Sequence, residues 1–327
     1  MRFALIGCGH IAATAHIPAL LQVREQEEIE PVACCDLSEA RALAARSQGG
    51  FAAAYADWER MLARERPDAV LLALPFQVAM PVATAILTRG IPLLMEKPPG
   101  NDADETEQIA RVAARSGTLH QVAFNRHHMP LIDMLQEDIA DARQSIRHID
   151  YRMYRVNRTE NHFHTTAIHG IGLVGFLARA PYSRVELAYG AARAENGGGG
   201  DISMLGTFAN GTTAQLSFCP MAGHVVEALS VITTGATYDV DLPVWSADGA
   251  RGEIVKFEAG CEVFRRPGPA VAPEGQFVHS NGFVGQLAHF VRDVRAGRQP
   301  RDHIDTALSP MAVMDAMARK QASYTAE

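Results

Sequence analysis

A glycine-rich turn between a short apolar run and a helical pattern is the feature that most constrains the fold of this chain. Residues 3–6 are apolar, the pattern Gly7-x-Gly9-x-x-Ala12 follows, and a helical pattern continues to about residue 21. Glycines at this spacing allow a tight turn and a close backbone approach, and the helix N-terminus that follows favours a pyrophosphate. The turn therefore predicts a dinucleotide site that includes Gly7, Gly9, His10 and Ile11.

Apolar runs and helical patterns continue to alternate through the first third of the chain. Strand-like runs cover residues 31–35, 68–74, 91–95 and 119–124. Continuous apolar strands separated by helices are typical of a parallel sheet covered on both faces. We therefore predict that residues 1–124 form a doubly wound α/β Rossmann domain.

The pattern changes after residue 124. Residues 146–155, 201–208, 212–218, 225–233 and 237–242 are strand-like and are joined by turns such as Asn210-Gly211, and one helix covers about residues 166–178. This predicts an α+β substrate and oligomerisation domain over residues 125–327, with a large, mostly antiparallel open sheet. An apolar helical face near residue 290 and a final helix over 305–324 could pack back on the first domain.

The end of the second apolar run predicts which nicotinamide cofactor is bound. Asp36 lies 29 residues after Gly7, where a carboxylate can accept hydrogen bonds from the adenosine ribose. A carboxylate there would repel a 2′-phosphate, and Leu37, not an arginine, comes next. We therefore expect NAD as the cofactor, in preference to NADP.

Composition excludes several classes of protein. The net charge of −7 argues against a nucleic-acid partner, and there is no block of Lys or Arg that would bind an anionic membrane. No apolar stretch reaches the ~20 residues that a membrane helix needs. The five cysteines form no C-x-x-C pair, which favours reduced thiols in a cytoplasmic protein and gives no zinc framework.

Three further segments accompany the glycine turn and Asp36: His16-Ile17-Pro18-Ala19-Leu20, Asp68-Ala69-Val70 with Pro75, and Glu96-Lys97-Pro98. Together these motifs resemble the Gfo/Idh/MocA family, which includes glucose–fructose oxidoreductase, inositol dehydrogenase and rhizopine-catabolism proteins. The resemblance extends to Asn125-Arg126, His169 and the last two helices. It implies a nicotinamide enzyme acting on a sugar, cyclitol or related polyhydroxy compound, and an open sheet that supports a homodimer or homotetramer.

Hydride transfer from an alcohol needs a base for the hydroxyl proton. The resemblance implies that Lys97 is catalytic, and His169 is the second candidate because histidine titrates near neutral pH. The remaining expected site residues follow strand ends or flank His169. For the cofactor they are Leu37, Leu74, Pro75, Glu96 and Asn125, and for the substrate Arg126, Tyr154, His164 and Thr165. Lys97 is also expected to contact the cofactor, and His169 the substrate.

Three positions depart from the family pattern. Ala79 stands where the family often has His, and Thr165 and Gly172 stand where it usually has Asp. The loss of an acid at Thr165 keeps two alternatives open: an NAD-using glycoside hydrolase or lyase, and a non-catalytic NAD(H)-binding sensor.

Three histidines could form a metal site. In an extended segment, His162 and His164 would point the same way and could bind a metal together with His169. No carboxylate or cysteine is nearby in sequence, so we expect no metal.

Overall fold

A computed structural model describes residues 1–141, 145–160, 162–190, 200–243 and 251–326. The chain divides into two compact units. Unit 1 comprises residues 1–125 and 282–308, and unit 2 comprises residues 126–281 and 309–327. No helix among the described residues is both long and apolar enough to cross a membrane.

The strands and helices are numbered along the chain. The strands are β1 Arg2–Ile6, β2 Glu30–Cys35, β3 Ala53–Tyr55, β4 Ala69–Leu72, β5 Leu93–Met95, β6 His120–Val122, β7 Ile146–Tyr154, β8 Tyr182–Tyr189, β9 Ile202–Phe208, β10 Thr213–Cys219, β11 Val226–Thr233, β12 Thr237–Asp241, β13 Glu253–Glu258, β14 Cys261–Pro267 and β15 Ser323–Thr325. The helices are α1 Ile17–Val23, α2 Glu39–Gly49, α3 Trp58–Glu65, α4 Phe76–Thr88, α5 Ala103–Ser116, α6 Pro130–Asp141, α7 His164–Ala178, α8 Pro273–Ser280, α9 Phe283–Arg295 and α10 Ile304–Ala318. A π-helical turn, Ala12–His16, leads into α1, and a 3-10 turn covers Asn125–His128.

Unit 1 contains a six-stranded sheet in the order β3-β2-β1-β4-β5-β6, in which each pair of neighbouring strands is parallel. This confirms the predicted Rossmann arrangement. The order reverses between β1 and β4, and ligands of such sheets bind at this point beyond the carboxyl ends of the strands.

Local sequence accounts for the ends of the unit 1 helices. The side chains of Ser38, Asp57 and Asp102 accept hydrogen bonds from backbone N–H groups in the first turns of α2, α3 and α5. Gly50 and Gly117 follow α2 and α5 in the left-handed conformation that glycine adopts without strain.

The core of unit 1 includes residues from near the end of the chain. Phe3, Leu5 and Leu20 pack in one cluster with Leu287 and Phe290 of α9. Phe290 has no exposed surface. The apolar helical face predicted near residue 290 is therefore buried in the same core as the glycine-turn helix.

Unit 2 contains a nine-stranded sheet in the order β14-β13-β12-β11-β7-β10-β9-β8-β15. β7 and β10 are parallel, whereas the other neighbouring pairs are antiparallel, which confirms the prediction of a mostly antiparallel second sheet. Tyr151 and Met153 of β7 are buried in one core cluster with Ala167 and Ile171 of α7.

The prediction of a final helix over 305–324 was wrong beyond residue 318. α10 ends at Ala318, and Ser323–Thr325 instead pairs with β8 as an antiparallel edge strand. Lys320 has a φ of 53°, which ends the helical backbone, and the polar residues 319–321 offer no apolar face to continue it. A β-branched and an aromatic residue then suit the strand.

Candidate functional site

The glycine turn has the geometry that its sequence predicts. Gly7 has a φ of 91° and its amide donates to the Cys35 carbonyl at 2.8 Å. A side chain at Gly7 would meet the backbone carbonyl of Ala73, so β4 leaves no room for one. Around Gly9, by contrast, a Cβ would meet nothing within 4 Å. The turn is thus packed against the sheet at Gly7 and open at Gly9, which suits the close approach of a pyrophosphate to the backbone.

Asp36 lies directly after β2 and is held in place by hydrogen bonds from three other residues. Its Oδ2 accepts from the amide of Cys8 in the glycine turn, at 2.9 Å. Its Oδ1 accepts from the Ser38 amide at 2.8 Å and from the Arg41 guanidinium at 2.8 and 3.0 Å. Asp36 is 9% exposed. Within the described part of the chain, Oδ2 has accepted one bond and can take another from a ribose hydroxyl.

The same bonds determine the charge of Asp36. Burial alone raises the pKa of this carboxyl, but the hydrogen bonds from Arg41, Ser38 and Cys8 and the charge of Arg41 outweigh burial and hold the pKa below its usual value. Asp36 is therefore ionised at neutral pH. Sequence reasoning missed Arg41, whose side chain is 59% exposed. Its position in the first turn of the helix that Ser38 caps could have indicated that it lies near Asp36.

The other expected cofactor residues follow the ends of neighbouring strands. Leu74 and Pro75 follow β4, and Pro75 is the N-cap of α4. Glu96 follows β5, and the buried Asn125 lies beyond β6. Because the strands are parallel, these segments leave the sheet at the edge where the glycine turn and Asp36 lie. His10 is exposed, Ile11 is half-buried, and Leu37 is 91% exposed.

Glu96 and Lys97 form a small hydrogen-bonded group with a residue that sequence reasoning gave no role. His16 Nε2 lies 2.6 Å from Glu96 Oε1, and the Lys97 amide donates to Glu96 Oε2 at 3.1 Å. Lys97 is half-buried, and its bond to Pro98 is cis. His16 and Glu96 are 80 residues apart. Each belongs to a motif that is recognisable in the sequence, but the contact between them was not predictable.

In unit 2, His164, Thr165 and His169 all belong to α7. Thr165 and His169 are four residues apart and share a helix face, and the Thr165 hydroxyl donates to the His162 carbonyl at 2.9 Å. Burial is the main cause that lowers the pKa of His164. Because α7 begins at His164, the extended segment on which the metal alternative depended is absent. In the described residues, no three His, Cys, Asp or Glu side chains could hold a metal ion together.

Arg126 belongs to a buried charged network that the sequence did not reveal. Its guanidinium donates through two nitrogens to Glu227 of β11, which is 3% exposed. Arg155 also donates to this carboxylate, as does the Tyr151 hydroxyl at 2.8 Å. We refer to these four residues as the Glu227 network. Arg126 and Glu227 are 101 residues apart, so no local pattern could have paired them.

Tyr154 lies on a different face of the unit 2 sheet from α7. Alternation along β7 places it with Asp150 and Arg152, opposite the buried Tyr151 and Met153. A shallow depression on its face is lined by Asp150, Arg152, Tyr154, Gln215, Ser217 and Ser230. The structure therefore does not bring Tyr154 together with His164 and His169.

Residues 1–124 match the model of a known family. A model of an oxidoreductase family with an NAD-binding Rossmann fold, GFO_IDH_MocA, matches residues 1–124. D-xylose 1-dehydrogenase (NADP(+)) 2 of Haloferax volcanii is 31% identical over 140 residues, which are 43% of this chain and 42% of that protein. Inositol 2-dehydrogenase of Corynebacterium glutamicum is 30% identical over 138 residues, which are 42% of this chain and 40% of that protein. The chain thus covers about two fifths of the length of these relatives.

Solved structures resemble the whole chain in fold. A dehydrogenase from Chromobacterium violaceum superposes with a TM-score of 0.85 at 20% identity, covering 98% of this chain and 95% of that one. A 3-ketoreductase from Actinomadura kijaniata, in complex with NADP and TDP-benzene, has a TM-score of 0.77 at 20% identity, covering 97% of this chain and 96% of that one. At these identities the likeness establishes the fold alone.

Proposed function

We propose that the chain is an oxidoreductase of the Gfo/Idh/MocA family, because residues 1–124 match the family's model of an NAD-binding Rossmann fold. The proposed activity is that of an NAD-dependent dehydrogenase or reductase. Its substrate is a sugar, a cyclitol or a related polyhydroxy compound. Relatives named for D-xylose and inositol support this substrate class.

One observation carries the proposal: the cofactor candidates share one edge of a parallel sheet. The glycine turn, Asp36, Pro75 and Glu96-Lys97 each follow a strand of the unit 1 sheet at its carboxyl end. A nicotinamide dinucleotide bound there would supply the site that accepts or donates hydride. The open space at Gly9 and the ionised carboxylate of Asp36 suit its pyrophosphate and ribose groups, respectively.

For the cofactor we propose NAD(H) in preference to NADP(H). The ionised carboxylate of Asp36 can accept from a ribose hydroxyl but repels a 2′-phosphate. Arg41 offsets part of that repulsion because it is bound to Asp36 and largely exposed. We therefore expect Arg41→Ala to weaken NADPH binding further and to leave NADH binding nearly unchanged. Equal losses for both cofactors would contradict the assigned role of the carboxylate.

The chain's own part in the reaction is to hold the substrate and to move a proton. We assign proton transfer to Lys97 of unit 1 and His169 of unit 2, because ammonium and imidazole groups can exchange the hydroxyl proton near neutral pH. Thr165, on the same helix face as His169, is assigned to a substrate hydroxyl. A threonine can bind a hydroxyl but cannot act as an acid, so Thr165 is given no part in proton transfer.

A screen of polyols with NAD⁺ tests the proposed activity. We expect reduction of NAD⁺ by at least one sugar or cyclitol, and a loss of about 10²- to 10⁴-fold in kcat for Lys97→Ala. Lys320→Ala, an exposed lysine after α10, is the matched control and should keep full activity. Net cleavage of a glycoside without net NADH formation would favour a hydrolase or lyase. NADH binding with no turnover of any kind would favour a sensor.

For the assembly we propose a homodimer or homotetramer formed through the unit 2 sheet. Leu205 of β9 is 53% exposed on a strand face that also carries Ser203 and Thr207. An apolar side chain on an exposed sheet face is suited to pairing with a second copy. Light scattering on the purified protein should give a mass of two or four chains, and Leu205→Glu should shift it towards one. A monomeric wild type would contradict this assembly.

A further inference from the structure

The carboxylate that precedes Lys97 is buried and has a partner on each oxygen. Only 11% of the Glu96 side chain is exposed. Its Oε1 lies 2.6 Å from His16 Nε2, and its Oε2 accepts from the Lys97 amide at 3.1 Å. Burying a charge is costly unless it is paired and hydrogen-bonded. This arrangement therefore fixes a negative charge directly beside Lys97.

His16 is placed for this contact by the helix that begins at the glycine turn. It is the last residue of the π-helical turn Ala12–His16, and its side chain is 6% exposed. Its ring packs edge-on against Phe283, with ring centroids 5.6 Å apart and planes at 87°. π-helical turns are rare and occur frequently at functional sites. The position of the His16 ring is thus determined by packing as well as by Glu96.

The charge of Glu96 follows from these contacts. Burial raises the pKa of this carboxyl, but the hydrogen bond from His16, together with the charge and the backbone amide of Lys97, holds the pKa below its usual value. Because an ionised carboxylate can only accept, Nε2 of His16 carries the shared proton. The positive end of that N–H dipole offsets part of the Glu96 charge that Lys97 experiences.

We propose that His16 is a positioning residue that acts on Lys97 through Glu96. By donating to Oε1, His16 fixes the carboxylate on the Lys97 amide and partly screens its charge. The importance of this arrangement for catalysis rests on the proposed function, whereas the arrangement itself can be measured without cofactor or substrate.

The composition of the chain makes the measurement direct, because Lys97, Lys256 and Lys320 are its three lysines. In protein labelled with ¹³C-lysine, the three side-chain signals can be followed by NMR as pH rises, and Lys97→Arg identifies the Lys97 signal. The variants are Glu96→Gln, which removes the charge, His16→Leu, which removes the donor, and His16→Gln, which retains one. Lys256 and Lys320 belong to unit 2 and act as internal references.

The two disruptive variants should move the pKa of Lys97 in opposite directions. Glu96→Gln should lower it by about 1 unit, because a neighbouring negative charge favours the ammonium form. His16→Leu should raise it by about half a unit, because the unscreened carboxylate then favours the ammonium form more strongly. His16→Gln should leave it near the wild-type value.

An unchanged Lys97 pKa in Glu96→Gln would overturn the proposal, as would a fall in His16→Leu. Near-ultraviolet circular dichroism shows whether each variant is folded. If His16→Leu does not fold, Glu96→Gln and His16→Gln still decide the outcome, because the proposal requires the first to shift the pKa and the second to preserve it. If the Lys97 pKa values of the variants fall in the predicted order but the protein has no dehydrogenase activity, the proposed function is contradicted and the role of His16 stands. If the protein is an active dehydrogenase but the pKa values do not fall in that order, the role of His16 is contradicted and the proposed function stands.

Discussion

The Glu227 network should make the stability of this protein depend on one buried carboxyl. Burial raises the pKa of Glu227, but the charges and hydrogen bonds of Arg126, Arg155 and Tyr151 outweigh burial and lower the pKa from 4.5 to about 2. A pKa lower in the folded than in the unfolded chain stabilises the fold above pH 4.5, and the stabilisation is lost as pH falls towards 2. The gap corresponds to about 3 kcal/mol, of which about 1 kcal/mol is lost by pH 3.5.

Glu227→Gln should therefore lower the free energy of unfolding by about 3–5 kcal/mol at pH 7, because it leaves two buried guanidinium groups without their counter-charge. Urea unfolding followed by far-ultraviolet circular dichroism measures this at pH 7 and at pH 3.5. The difference between wild type and variant should shrink by about 1 kcal/mol at the lower pH. Glu186→Gln, at an exposed ion pair, is the control and should change stability by less than about 0.5 kcal/mol. A difference that is the same at both pH values would refute the assigned origin of the stabilisation.

Three further substitutions test the packing and the turn. Phe290→Ala, fully buried in the unit 1 core, should cost about 3–5 kcal/mol in urea unfolding, whereas Leu37→Ala, at a side chain that is 91% exposed, should cost almost nothing. Gly7→Ala should cost at least about 1 kcal/mol because of its positive φ, and should abolish NADH binding measured by fluorescence. Tyr182→Phe should cost about 1 kcal/mol, because the hydroxyl donates to a buried carbonyl of α7 at 2.9 Å.

The parts of the fold that were predictable depend on local patterns. A Rossmann unit is recognisable from a buried strand followed in fixed order by two glycines and an acid. The glycines allow the tight turn and the close approach of the pyrophosphate, and the acid binds the ribose. The end of the last helix was not predictable in this way. Positions 319–325 carry no glycine or proline to mark the change, and β15 forms because β8 offers an edge for pairing.

The parts of the site that were not predictable depend on contacts between distant residues. Asp36 was recognisable, but its bond to Arg41 required the position of α2. Arg126 was assigned to the substrate from its polarity, and its pairing with Glu227 depends on how the 3-10 turn lies against β11. In the same way, His16 and Glu96 meet only because β5 and the glycine-turn helix are neighbours in unit 1.

The central claim is that unit 1 binds NAD(H) through the glycine turn and Asp36, and a fluorescence titration with NADH and NADPH tests it most directly. Wild-type protein should bind NADH tightly and NADPH weakly, and Asp36→Ala should lose that preference because the charge that repels the 2′-phosphate is gone. Binding of neither cofactor by folded wild-type protein would contradict the account. A preference for NADH that survives in Asp36→Ala would contradict the role of the carboxylate.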